Sequence, residues 1–252
     1  MPFALENVVR AHGTVYFFRG QSKATWGLVP TLPRVLPEGV TAQQALDIEE
    51  AALQQFRSTA HLHLAFASLP ADLPGPALPE WWALMQHHHA PTRLLDWTES
   101  PYVAAYFAVE KDWEDDGAVF MIHGHHAQAS FHTRFGSGTS IKNEQLRDSG
   151  APSAVLLWCP RKRSDRLVAQ QGRFSLSVGI LGSHEELIGG ECANAEAREP
   201  GRTFHKKLVI PKKLKPEFLS RLRLMNIAAH SLFPGIDGLG RSVAEMARLA
   251  GA

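Results

Sequence analysis

Apolar residues in this chain fall into short runs that switch irregularly between strand length and helical period. Residues 14–18 form a β-branched and aromatic run stopped by Arg19-Gly20, which reads as a strand. Residues 118–122 and 154–158 are continuous apolar runs of strand length, and 207–210 reads as a further strand. Thr41 and Gln44 have capping-box spacing, and Ala45, Ile48, Ala52 and Phe56 follow at helical intervals, so a helix is predicted from there to about Phe66. Pro79 suits a first helical position ahead of a short helix over 81–88, and Ser100-Pro101 opens another that ends within 110–116. Helices are also predicted over 216–224 and 241–249. The regular strand–helix alternation of a doubly wound sheet is missing. The predicted class is therefore α+β, with mixed, mostly antiparallel small sheets and flanking helices.

An apolar content of 44% with 20% charged residues is enough for a real core and excludes a mainly disordered chain. No run of about 18 apolar residues is present, so no membrane span is expected. The first ten residues lack a basic stretch followed by an apolar one, the mark of a secretory signal. Cys159 and Cys192 cannot build a disulfide framework or a four-thiolate zinc site, and a cytoplasmic setting is the expectation. The proline-rich run 68–79 is read as a loop within one domain rather than a linker. Residues 123–152, rich in Gly, Ser and His, are read as a long loop, a frequent location of function.

Four segments carry candidate chemistry. Arg19 ends an apolar strand beside Gly20, where a guanidinium offers a fixed fork of donors to phosphate or carboxylate and a glycine admits a ligand to the backbone. An ion pair closing the strand end explains Arg19 equally well. His87 to Ser100 packs polar groups densely between two apolar helices, and Arg93 and Asp96 can pair with each other. Three adjacent histidines cannot all face one site, and His123, His125 and His126 lack an identifiable third ligand, so no metal site is expected. The Gln171-Gly172 turn presents an amide and Phe174 to a ligand, or simply precedes a core aromatic. Asp237 is a possible acid or base, or an N-cap for the last helix. Residues 161–223 hold 14 Lys or Arg against 7 Asp or Glu, a candidate surface for an anionic partner in a chain whose net charge is only +1.

Together, Phe18-Arg19-Gly20-Gln21, the stretch from Gln86-His87 through Thr92-Arg93-Leu94-Leu95-Asp96-Trp97-Thr98, Ser100-Pro101 with Ala104 and Tyr106-Phe107-Ala108, Ala169-Gln170-Gln171-Gly172 with Phe174, and Leu232-Phe233-Pro234 with Asp237 resemble the FRG domain family. The resemblance spans about residues 14–240 and implies one domain covering the chain, 1–252. His88 and His89 stand where the family commonly has Gly or an aromatic, and Gly235 stands where its final motif has Asp.

The order of features is more distantly similar to that of ADP-ribosyltransferases, which implies an ADP-ribosyltransferase-like fold. It also implies NAD as substrate and transfer to a protein or nucleic-acid acceptor, or NAD hydrolysis, in a role such as a toxin or phage-defence effector. On that resemblance Arg19, His87, Gln171 and Asp237 are the catalytic candidates. Arg19, Gly20, Gln21, Arg93, Asp96, Trp97, Thr98, Ser100, Tyr106 and Phe174 would bind NAD. The customary catalytic Glu has no clear counterpart, leaving Gln171, Asp237, Glu186 or Glu191 to take its place. The alternatives are a histidine-dependent nuclease or hydrolase and a non-catalytic module for an anionic ligand.

Overall fold

The computed structural model describes residues 16–65, 68–70, 78–136 and 141–251. Residues 14–15, the expected helix end at Phe66 and most of the proline-rich run lie outside these. All the described strands join one sheet: β1 (Tyr16–Gln21), β2 (Leu94–Thr98), β3 (Gly117–His123), β4 (Val155–Trp158), β5 (Gly172–Ser177) and β6 (His205–Ile210). Their order is β4-β5-β2-β1-β3-β6, and every neighbouring pair is antiparallel. Among the described residues, twelve α-helices accompany it. The fold class is α+β.

Alternation along the strands sorts two faces. Val119 and Met121 of β3 pack with Phe18 of β1 on one side, against α4 (Pro101–Val109). Ala118, Phe120 and Ile122 pack with Phe17 and Trp97 on the other. Because β3 is buried on both faces, it reads as a continuous apolar run. α4 lies unusually close to the sheet. A Cβ on Gly20 would stand 1.8 Å from the Ala104 carbonyl oxygen, and one on Gly117 would stand 2.2 Å from that of Ala108. Gly20 thus admits a helix to the strand, not a ligand as its position suggests in the sequence. The Ser100 side chain caps α4 by accepting from the Val103 amide.

α1 spans Thr31–Val35, and α2 (Ala42–Ala60) carries the predicted capping box at Thr41 and Gln44. α3 (Leu78–His87) packs with α2 around Leu53, Trp82 and Met85. The expected loop over 123–152 instead holds three short helices among its described residues, α5 (Gly124–Ala127), α6 (Ala129–Phe135) and α7 (Asn143–Leu146). The His123 ring accepts from the His126 amide, so this histidine acts as an N-cap and lets a Gly-His-His stretch turn helical. α8 (Asp165–Ala169) follows β4, and α9 (His184–Arg198), absent from the sequence reading, buries Ile188, Cys192 and Ala195.

After β6 come α10 (Lys215–Leu224), α11 (Ala229–Leu232) and α12 (Ile236–Ala250). Lys215 is wholly buried, and its Nζ donates to the carbonyls of Ser22 (2.6 Å), Lys111 (3.2 Å) and Asp112 (2.8 Å). An internal ammonium thus ties α10 to the two loops that leave β1 and α4. Part of the basic segment 161–223 is engaged within the fold. Lys215 is internal, Arg173, Arg202, Arg221 and Arg223 sit in ion pairs, and Lys206 and Lys207 lie exposed on edge strand β6. Lysines there discourage pairing with another strand.

Candidate functional site

β1 and β3 are paired from Tyr16–His123 to Gln21–Ala118, but β1 and β2 meet at one register position, Phe18 opposite Thr98. The seam between β1 and β2 is therefore mostly free of ladder bonds. Arg19 fills part of it: its Nη1 donates to the Asp96 carbonyl at 2.7 Å and lies 3.7 Å from the Asp96 carboxylate. The Arg19 side chain is only 16% exposed, whereas that of Asp96 is 63% exposed. Nε of Arg19 is buried without a hydrogen-bond partner. Burial lowers the Arg19 pKa, opposed by Asp96.

A cleft of two adjoining lobes opens over this seam. The first, of about 180 Å³, is lined by Phe18, Arg19, Gly20, Trp97, Thr98 and Phe107, and the second, of about 100 Å³, by Glu80, His87, Lys162, Ser164 and Phe174 among others. Asp96, Arg166 and Gln170 line both. A pocket that encloses a drug-sized ligand has roughly 300–1,000 Å³.

The short helix α8 brings in Arg166 and Gln170. Ser164 caps it by accepting from the Leu167 amide, and Gln170 ends it. The Thr98 hydroxyl donates to the Gln170 carbonyl (2.7 Å), and the Glu99 amide to that of Gln171 (3.1 Å), so β2 holds the helix end in place. Gln171 has φ of 48°, which turns the chain from α8 into β5. The Arg166 guanidinium lies 4.7 Å over the Phe233 ring, and no described carboxylate stands within ion-pair distance of it. Burial lowers its pKa, with Asp96 opposing. His87, the last residue of α3, has its pKa lowered by burial and then by His88, Arg166 and His89, so it is neutral near pH 7.

The cleft thus brings together Arg19, Gly20, His87, Asp96, Trp97, Thr98 and Phe174 of the sequence candidates. Trp97 contributes at its edge only, since its ring is buried and Nε1 donates to Ser175 Oγ at 2.8 Å. The others go elsewhere. Arg93 does not pair with Asp96; three residues apart on an extended chain, the two point to opposite faces. Arg93 is buried against Glu49 of α2, with Nη1 donating to the Val178 carbonyl (3.0 Å) and its guanidinium 4.7 Å over Trp82.

Gln21 is buried and donates to the Gly27 carbonyl, Ser100 caps α4, and the Tyr106 hydroxyl is bonded to Glu245 on the far side of α4. The side chain of Gln171 is exposed and lines neither lobe. Asp237 is exposed in the first turn of α12, where Gly235 rather than Asp237 is the N-cap. Glu186 and Glu191 lie on α9 and line neither lobe.

Sequence reasoning missed Arg166, Gln170, Phe107 and Lys162 as cleft residues. Their signal was position: each lies within or beside a segment singled out for another side chain. Among the described residues, no three His, Cys, Asp or Glu side chains gather as a metal site. His88 instead packs near Phe56, and His89, with φ of 65°, terminates α3.

One antiparallel sheet, with a charged cleft where two of its strands part, defines an α+β protein of this kind. Residues 14–117 match the family model of the FRG domain. That stretch supplies Arg19, His87, Asp96, Thr98 and Phe107, while Arg166, Gln170 and Phe174 lie beyond it. No curated protein and no solved structure matches the chain. No helix among the described residues is long and apolar enough to cross a membrane.

Proposed function

We propose that the cleft binds a phosphate-bearing nucleotide, with NAD as substrate, and that the protein breaks its N-glycosidic bond for ADP-ribosyl transfer to a protein or nucleic-acid acceptor, or for hydrolysis. The observation that carries this reading is the buried Arg19 with an unpartnered Nε beside a second, unpaired guanidinium, Arg166. Two desolvated cations facing one partly exposed carboxylate favour an anion, and a guanidinium binds phosphate oxygens through charge-assisted bonds.

Bound NAD supplies a glycosidic bond whose nicotinamide is already a good leaving group, so positioning and electrostatics suffice. Arg19 and Arg166 hold the phosphates. Phe107, half-buried in the first lobe, offers a flat apolar surface to a ring, and the buried Phe174 lines the second. Asp96, shared by both lobes, replaces Gln171 and Asp237 as the group that stabilises positive charge developing at the ribose. Neutral His87, in the second lobe, accepts the proton of an incoming acceptor or water.

Calorimetry with NAD and ADP-ribose, alongside an assay of nicotinamide release, tests this. The reading expects both ligands to bind, Arg19→Ala to weaken both, and Asp96→Asn to keep binding but lose release. Binding with no release under any acceptor leaves a non-catalytic anion-binding module. Absence of both binding and release overturns the proposal.

A further inference from the structure

Helix α12 is amphipathic, and it is mounted with its polar side inward. Gly238, Ser242 and Glu245 face the body and are buried. Glu245 accepts from the Tyr106 hydroxyl and from Arg223 Nη1 (2.8 Å), and Ser242 Oγ stands 3.3 Å from His230 Nδ1. This buried polar network fixes the rotation of the helix.

A neighbouring flank, roughly 110° around the helix by its 3.6-residue turn, bares Ile236 (79% exposed), Leu239 (55%), Val243 (59%) and Met246 (57%). Their spacing is that of the seam along which one helix packs on another. Gly240, Ala244 and Ala247, also exposed, flank this stripe and leave room for close approach. The helix's two arginines do not shield it. Arg241 lies 4.3 Å over the Phe233 ring, and Arg248 lies 5.6 Å over Trp113, both folded back on the body. Leu224 (89%) and Met225 (53%), beside the Arg223 that reaches Glu245, are exposed as well.

We propose that this face is a self-association surface, on which two copies of the chain pair through antiparallel α12 helices. The spacing along the stripe reads the same in both directions. A two-fold axis between Leu239 and Val243 therefore sets Ile236 against Met246 and Leu239 against Val243 of the second copy, as a self-complementary interface requires. The exposed apolar surface, of the order of a 300–600 Å² patch, supplies about half or more of the ~800 Å² per partner in a standard interface. The pair is thus a weak, concentration-dependent dimer. A lipid surface fits less well, because helices that lie on membranes present Lys and Arg outward along their polar face.

Sedimentation velocity of the full chain over a wide concentration range tests the proposal. The expected result is a rise from the mass of one chain towards two. Val243→Glu should stay at one chain throughout with an unchanged Tm, since the side chain is already exposed. Mixing Leu239→Glu copies with Val243→Lys copies should restore the pair, because the two positions face each other across the axis. A wild-type chain that stays single at the highest concentration overturns the proposal, as does a Val243→Glu variant that dimerises like the wild type. Binding of the single chain to phosphatidylcholine–phosphatidylglycerol vesicles through α12, without dimerisation, overturns it in favour of a lipid surface.

Discussion

The Arg19 side chain occupies the place of a ladder bond: its Nη1 donates to the backbone carbonyl of Asp96 on the strand that β1 barely touches. One residue therefore both closes the β1–β2 seam and presents a charge to the cleft above it. The two roles separate by experiment. Arg19→Ala frees one carbonyl, worth about 1–3 kcal/mol of stability, but β1 keeps its full pairing with β3. We expect a lowered Tm with a cooperative melt retained. A charged hydrogen bond contributes about 1.5–3 kcal/mol, so affinity for NAD or ADP-ribose should fall roughly tenfold to a hundredfold by titration calorimetry. Complete loss of the cooperative melt would assign Arg19 a structural role alone.

Arg93 and Glu49 form the opposite case, a pair buried far from the cleft. Arg93→Met leaves the Glu49 carboxylate without a countercharge and should cost about 3–5 kcal/mol in urea unfolding. Glu49→Leu in the same chain should recover most of that loss, because the pair stabilises little beyond what packing of similar volume would. Ligand affinity should not change in the double variant.

Lys215 satisfies three carbonyls from two separate loops. Lys215→Met keeps the length and apolar stem of the side chain but strands those acceptors. An expected loss of roughly 1–3 kcal/mol or more follows from the unmade bonds, together with faster amide exchange in the segment around Asp112.

Histidine burial sets an acid limit. Burial pushes the pKa values of His184 and His123 down to about 4 from an ordinary 6.5. Between those values the unfolded chain binds more protons than the folded one. The histidine contribution is therefore fully present above pH 6.5 and is lost as pH falls through that window to about 4. Each should lower stability by about 1.4 kcal/mol per pH unit in that range. His184→Gln should remove its share of the slope in urea titrations at stepped pH, while a slope unchanged by the substitution would contradict the burial argument.

Much of the framework was legible in the sequence because its cues are local. The Thr41–Gln44 box, Ser100-Pro101 and the apolar runs around Phe18, Phe120 and Val155 each act within a few residues. Arg19 stood out because a charge closing an apolar strand is conspicuous. The rest depends on distant partners. Nothing near Arg93 announces Glu49, 44 positions earlier, and reading residues 94–98 as a strand would already have turned Arg93 and Asp96 to opposite faces. Helix α9 went unseen because its few buried residues sit among glycines and acids, giving a weak apolar period. Arg166 and Gln170 reach the cleft on a short helix that β2 holds by hydrogen bonds and that Gln171, in a left-handed conformation usually left to glycine, links to β5.

The continuity of the sheet bears on how the chain can be divided. β2 pairs outward with β5, and β1 pairs outward with β3, whose first residue is the last of the matched FRG segment. A fragment ending at residue 117 would keep two strands that share one bridge and would present an unpaired edge on each side. It would also lose the ammonium that fills its carbonyl-lined gap. Unpaired strand edges are ready sites for pairing with another chain, so gene fusions or truncations that break the chain there should yield insoluble material.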